Sequence, residues 1–195
     1  STLDVHHTIL PPTSGPALDP TLLLAQRREL SPGVYGLCRE DMVLHSAAHL
    51  FFESEFPNGL RDLWDQYAML SEFCSEDPEF WDRLVRRAWE LDLVTALWLS
   101  LRYVKHYFSL KAPAEALARL RPKLATLRGA AWDFVFLRVF APDHPASRIP
   151  LRDAAITLAY MRGHALRMPL RLLIPHLTRK AVLRLQGRGL LPGKD

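Results

Sequence analysis

The sequence has 195 residues, 49% of them hydrophobic and 24% charged, with a formal net charge of +4. This length and composition predict one globular domain with a sizeable core and exclude a disordered chain. The most apolar run, Val94 to Val104, is broken by Arg102 and is about half as long as a membrane-spanning helix. We therefore interpret it as a buried helix and expect no transmembrane segment.

The charge is divided unevenly along the chain. Residues 1–100 contain 7 Lys and Arg against 16 Asp and Glu, whereas residues 101–195 contain 18 against 5. Either the two halves complement each other or the basic half binds an anionic partner. Cys38 and Cys74 match no metal-binding spacing, and the first residues lack the pattern of a secretory signal. We therefore expect a reducing, cytoplasmic location.

The N-terminal segments predict a small β element. Residues 2–10 are rich in β-branched side chains, which favour a strand. A proline-rich loop follows, and then a short helix at 20–30, with Asp19 as N-cap and Pro20 at the first helical position. Residues 33–38 predict a second short strand.

Residues 40–70 predict two antiparallel helices joined by a Pro-Asn-Gly turn, and the rest of the chain is organised around them. His45 and His49 are four residues apart and share a face of the first helix. Asp62 and Asp65 are three residues apart on the second helix. The histidine face can therefore meet the aspartate face.

Further helices follow the hairpin. Asp77-Pro78-Glu79 predicts an N-cap and first turn, and residues 93–108 predict a central helix because they are apolar on most sides. Residues 113–127 predict a helix that ends or is interrupted near Pro122. Residues 129–140 fit a helix or a strand, and we favour a helix because the neighbouring segments are helical.

A loop at 142–150 separates these segments from a helix that begins at residue 151, and the last helix, to about Leu185, is basic. The predicted fold class is mainly α, a helical bundle with a small N-terminal β element. We divide the chain into residues 1–38, the β segment with its connecting loop, and residues 39–195, the helical domain.

Asp4 and His6 are two residues apart on the first predicted strand, so they face the same side. A carboxylate and an imidazole held together in this way can bind a divalent metal or a phosphate-bearing substrate. The alternative is a surface strand with a polar, solvent-facing side.

The spacing of His45 and His49 is also that of a metal-binding pair, but the Glu of the zinc protease motif is missing and no third ligand is obvious. We favour a structural interpretation, in which one buried histidine donates to a carboxylate such as Asp65 and fixes the hairpin. The sequence contains no G-x-S-x-G, no G-x-x-x-x-G-K-[ST] and no G-x-G-x-x-G.

Basic residues alternate with apolar ones in the second half of the chain. Such a pattern indicates a nucleic-acid or anionic-membrane surface, a solvated face, or a face that docks on the acidic half, and we favour the last two. The residues are Arg162, Arg167, Arg171, Arg179, Lys180, Arg184 and Arg188.

Two stretches together resemble a bacterial nucleotidyltransferase family of the DNA polymerase β-like superfamily. LDVHHTILPP, at 3–12, resembles the family's strand of hydrophobic-Asp-hydrophobic-His followed by an aromatic residue. EDMVLHSAAHLF followed by GLRDLWDQYAML resembles its helical segment. The resemblance covers about residues 3–75, and the matching helical positions are Asp41, His49, Arg61 and Asp65.

The resemblance implies transfer of a nucleotidyl group from a nucleoside triphosphate to an acceptor, with Mg²⁺ or Mn²⁺ held by three carboxylates. It implies that Asp4 is the third of these carboxylates and that His6 accompanies it at the catalytic site. Residue 7 is His where the family has an aromatic residue, and no Gly-Ser turn followed by Asp-x-Asp occurs in the sequence.

We therefore expect this chain to be the later, mostly helical part of such a protein, inactive alone because two metal carboxylates are missing. His49 and Asp65 are expected to order the hairpin. Two alternatives stay open. One is a non-catalytic helical module whose basic surface binds nucleic acid or another anionic partner, and the other is a purely structural helical adaptor.

Overall fold

The computed structural model describes residues 8–10, 16, 18–52, 56–120, 125–142, 144, 149–167, 171, 175, 178–179 and 182. These residues form a mainly helical fold with one small two-stranded antiparallel sheet near the N-terminus, as the sequence predicts. In chain order the elements are α1 (Pro20–Ala25), β1 (Arg28–Ser31), β2 (Val34–Gly36), α2 (Arg39–Phe52), α3 (Gly59–Glu76), α4 (Phe80–Glu90), α5 (Val94–Phe108), α6 (Ala114–Arg119), α7 (Ala125–Val139) and α8 (Arg152–Arg167).

The small sheet is formed by β1 and β2, and β2 lies within the strand predicted at 33–38. Residues 1–7 lie outside the described residues, and residues 8–10 are not in a strand. The Thr8 side chain accepts a hydrogen bond from the Leu10 amide at 3.5 Å. A local bond of this kind competes with a strand ladder. Leu10 is instead buried in the helical core.

The helix predicted at 20–30 begins where expected but ends at Ala25. Asp19 Oδ1 accepts the Thr21 amide at 2.9 Å, and Pro20 is the first helical residue, so the predicted cap is confirmed. The chain then turns into β1, which pairs with β2. Gly33, with φ of 76°, supplies the left-handed residue of the connecting turn.

Helices α2 and α3 form the predicted hairpin. Leu44, Ala48 and Phe52 of α2 are buried, and so are Leu63 and Leu70 of α3. The turn depends on a close approach of the backbone to the residue that follows α7. A side chain at Gly59, the first residue of α3, would bring its Cβ within 2.7 Å of the Phe140 ring.

Helix α5 is the central helix that its apolar sequence predicts, with Leu97, Leu101 and Val104 buried. It packs against both α2 and α3. Its Tyr103 ring lies 6.0 Å from the ring of Phe51 in α2 and 5.4 Å from the ring of Phe136 in α7. An aromatic cluster therefore joins α2, α5 and α7.

Two later predictions are adjusted by the structure. Helix α4 begins at Phe80, because Asp77 Oδ1 accepts the Glu79 amide and caps the turn that precedes the helix. The helix predicted at 113–127 is two helices, α6 and α7, and Pro122 lies outside the described residues. Within the segment 129–140, residues 129–139 are helical, as favoured. Among the described residues, no helix combines the length and apolarity needed to cross a membrane.

One buried ion pair joins three helices. Asp41 of α2 is fully buried, and Arg87 of α4 is 4% exposed. Arg87 Nε and Nη2 donate to the two Asp41 carboxylate oxygens at 2.7 and 2.8 Å. Arg87 Nη2 also donates to the Leu22 carbonyl of α1 at 2.8 Å, and Nη1 donates to Glu90. A buried pair with these donors satisfied fixes the relative positions of α1, α2 and α4.

Replacing Arg87 should destabilise the protein strongly. The Arg87→Ala variant leaves the Asp41 carboxylate buried without its partner, and we expect a loss of about 3–5 kcal/mol in the free energy of unfolding. Adding Asp41→Ala to it should cost less than the sum of the two single losses. Urea unfolding followed by circular dichroism measures these values. The control is Arg119→Ala, which breaks the exposed Arg119–Asp82 pair and should cost less than about 1 kcal/mol. Equal losses for Arg87→Ala and the control would contradict this account.

Candidate functional site

A small cleft of about 180 Å³ lies between α2 and α3. The hairpin brings the histidine face of α2 and the aspartate face of α3 to this one place, as the residue spacing predicts. The lining residues are His45, Ser46, His49, Leu50, Asp62 and Asp65.

The two histidines are neighbours along α2. Their ring centroids are 6.3 Å apart with an interplanar angle of 44°. His45 is half-buried, whereas His49 is exposed at the mouth of the cleft. The imidazole of His49 is therefore accessible to solvent, and the carboxylates of Asp62 and Asp65 line the same cleft.

The carboxylate of Asp62 has the most perturbed environment in this cleft. Burial raises its pKa from the ordinary value of 3.8, and the nearby Asp65 carboxylate raises it further. His49 and Arg61 act in the opposite direction, since a positive charge favours the ionised carboxylate. Burial is the largest of these effects, so the net direction of the Asp62 pKa is upward.

The predicted partnership of His49 and Asp65 has only partial geometric support. Both residues line the cleft, and both are exposed. In the described part of the chain, no hydrogen bond joins the two side chains. Their role in ordering the hairpin stays a prediction.

A metal ion finds no complete ligand set in the described part of the chain. Among these residues, no group of three His, Cys, Asp or Glu side chains is arranged to hold one. The zinc interpretation of His45 and His49 therefore gains no third ligand there. Asp4 and His6, the residues predicted for metal binding and catalysis, lie outside the described residues.

The helical positions that carry the family resemblance have different surroundings. His49 and Asp65 line the cleft, and Arg61 interacts electrostatically with Asp62 of that cleft. Asp41 instead forms the buried pair with Arg87. Its partner is 46 positions further along the chain, so no local sequence pattern could have revealed the pair.

The predicted basic region contributes two arginines to the fold itself. Arg162 of α8 donates to the Phe51 carbonyl, and Arg167 donates to the Phe52 carbonyl at 3.0 Å. These carbonyls belong to the last turn of α2, whose acceptors have no partners within the helix and carry the negative end of the helix dipole.

The Arg162 guanidinium lies 4.7 Å from the centroid of the Trp132 ring, and burial lowers its pKa to about 10. Its positive charge therefore serves contacts inside the molecule. Arg171 and Arg179 are exposed, whereas Lys180, Arg184 and Arg188 lie outside the described residues.

A second and larger cleft, of about 490 Å³, was not predicted from the sequence. It is lined mainly by α5 and α7, with Leu117 from α6. Its lining includes the ion pair formed by Arg102 and Asp133, 31 positions apart. The only local signal was Arg102 itself, a charged residue in the most apolar run of the sequence.

Replacing Asp62 with asparagine should change stability in a pH-dependent way. A raised pKa in the folded state means that the ionised carboxylate costs stability above that pKa, and that the cost disappears below 3.8. Asp62→Asn should therefore stabilise the protein at pH 7, by less than about 1 kcal/mol, with no gain below pH 3.8. Thermal unfolding across this pH range measures the effect, and Asp92→Asn, an exposed site in the α4–α5 turn, is the control. A loss of stability at pH 7 would contradict the cost assigned to burial of the ionised Asp62 carboxylate.

The His49–Asp65 partnership is tested by a double-mutant cycle. If the two residues order the hairpin together, His49→Ala and Asp65→Asn should show a coupling of at least about 0.5 kcal/mol in the free energy of unfolding. The matched cycle of His49→Ala with Asp92→Asn should be additive. Losses that simply add for His49 and Asp65 as well would exclude a partnership.

The comparison with protein families gives a match over the same part of the chain that carries the sequence resemblance. A family model described as uncharacterised nucleotidyltransferase matches residues 1–109, more than half of the 195 residues. The match spans the segment with Asp4, the α2–α3 hairpin and α5. Comparisons with curated proteins and with solved structures give no match. The chain thus belongs to this uncharacterised nucleotidyltransferase family.

Proposed function

We propose that this chain takes part in transferring a nucleotidyl group from a nucleoside triphosphate to an acceptor. The observation that carries the proposal is the family match over residues 1–109. That range includes both stretches on which the sequence resemblance rests. In this proposal the α2–α3 hairpin forms one wall of the substrate pocket.

The proposal assigns the metal chemistry to Asp4, with His6 beside it. A bound Mg²⁺ or Mn²⁺ would stabilise negative charge on the transferring phosphate. The described residues contain no set of side chains that fits such an ion. The role of Asp4 therefore rests on the sequence resemblance alone.

In this proposal the residues of the hairpin cleft hold α2 and α3 together as the pocket wall, and the cleft does not bind the nucleotide. Its volume of about 180 Å³ is below the roughly 300–1,000 Å³ of typical small-molecule sites. The two carboxylates of Asp62 and Asp65 would also repel a triphosphate. Both points favour the structural role assigned to His49 and Asp65.

The alternative function, a non-catalytic module with a basic surface for nucleic acid, has less support. Two of the cationic side chains that suggested it, Arg162 and Arg167, bind the carbonyls at the end of α2. They are consequently less available to phosphates. Contacts within the chain therefore account for these two positive charges of the basic half.

Nucleotide binding tests the proposal directly. We expect at least one of ATP, GTP, CTP and UTP to bind the chain in the presence of Mn²⁺ with a Kd below about 1 mM, measured by isothermal titration calorimetry. The matching nucleoside, which lacks phosphates, should not bind. Asp4→Asn should weaken Mn²⁺-dependent binding by at least about tenfold, because it removes a charged metal ligand.

The control for this experiment is Asp92→Asn, which neutralises an exposed carboxylate of another segment and should leave binding unchanged. Because the sequence lacks the Gly-Ser and Asp-x-Asp motif, the chain alone should bind without transferring a labelled nucleotidyl group. Failure of all four triphosphates to bind, or equal effects of the two substitutions, would overturn the proposal.

A further inference from the structure

The cleft of about 490 Å³ between α5, α6 and α7 is separate from the hairpin cleft and has a different chemistry. Its volume lies within the range of typical small-molecule sites.

Most of the cleft wall is apolar. Leu101 comes from α5, Leu117 from α6 and Leu137 from α7, so leucines approach the cleft from three helices. The half-buried Trp98 ring extends this wall by one turn of α5. A surface of this kind favours a flat apolar or aromatic body.

The charged pair in the cleft is already neutralised. Arg102 Nε and Nη2 donate to the Asp133 carboxylate oxygens at 2.7 and 2.5 Å, and the Tyr103 hydroxyl donates to the same carboxylate at 3.3 Å. The Arg102 guanidinium also lies 5.4 Å from the centroid of the Trp98 ring. Arg102 is thus held in place, and its charge is balanced by Asp133.

Two further cationic or protonatable side chains, Lys105 and His106, border the cleft, and both are exposed. In the described part of the chain, neither forms an ion pair with a carboxylate. His106 interacts electrostatically with Asp133 across a longer distance. With Arg102 balanced by Asp133, Lys105 leaves the lining with one net positive charge when His106 is neutral.

We propose that this cleft binds a ligand that joins a flat apolar body to a single phosphate or carboxylate group. The body would pack on the leucines and Trp98, and the anionic group would bind Lys105 and His106. The net charge of the lining suits one anionic group better than a triphosphate. This inference goes beyond the proposed nucleotidyl transfer and does not depend on it.

The test uses calorimetric titrations of the whole chain with probes that separate the two sources of the anionic group. AMP carries a phosphate and indole-3-acetate carries a carboxylate, while adenosine and indole-3-ethanol are their uncharged counterparts. At least one anionic probe should bind with a Kd below about 1 mM, and its counterpart at least about tenfold more weakly. Binding by AMP alone assigns a phosphate ligand, and binding by indole-3-acetate alone assigns a carboxylate ligand.

Variants at the edge of the cleft locate the binding. Lys105 is exposed, so Lys105→Ala should fold normally and lose at least about fivefold in affinity for the anionic probe, while Lys105→Arg retains most of it. Lys111→Ala is the matched control, because Lys111 is exposed and lines a different cleft. It should leave the affinity unchanged.

Three results would overturn the inference. The first is the absence of binding by both anionic probes up to about 5 mM. The second is an equal loss of affinity in Lys105→Ala and Lys111→Ala. The third is an equal loss of nucleoside triphosphate and AMP affinity in Lys105→Ala, which would make the cleft part of the nucleotide site. If Lys105→Ala loses AMP binding and keeps triphosphate binding, the cleft is a site separate from the nucleotide site. This conclusion holds whether or not the chain takes part in nucleotidyl transfer.

Discussion

The ion pair between Asp41 and Arg87 is the interaction on which the positions of the helices depend. Both side chains are almost completely removed from water, where an unpaired charge would cost several kcal/mol. Arg87 meets this cost with two bonds to Asp41 and one to the Leu22 carbonyl. Since the guanidinium is planar and its donors are fixed in direction, these three hydrogen bonds favour one arrangement of α2 against α1 and α4.

The same helix is held along the rest of its length by other polar contacts. At its centre the Ser46 carbonyl accepts a hydrogen bond from Gln66 of α3, and Gln66 is joined in turn to Ser100 of α5. At its end, Arg162 and Arg167 of α8 bind the last carbonyls. Because each contact has a preferred geometry, α2 has a fixed rotation, and its histidines lie at the hairpin cleft and not in the core.

Features that depend on residues close together in the sequence could be predicted. Ion pairs between residues far apart in the sequence could not. The hairpin, the Asp19 cap and the buried character of α5 follow from spacing and local chemistry. The predicted end of α1 was wrong because pairing of β1 with β2 outweighed the helical pattern after Ala25. The strand predicted at 33–38 is confirmed, since it contains β2. The Asp41–Arg87 and Arg102–Asp133 pairs join residues 46 and 31 positions apart, so the larger cleft was missed. The family was recognised because its motifs lie in continuous stretches.

A helix fixed at both ends and in the middle should be among the last parts of the protein to open. Native-state amide hydrogen exchange tests this claim most directly, since it gives the free energy of opening for each element. Buried amides of α2, such as those of Ala47 and Leu50, should exchange only through global unfolding, with the same free energy as the slowest amides of α5. Exchange of these α2 amides through a local opening of clearly lower free energy, while α5 stays closed, would contradict the account.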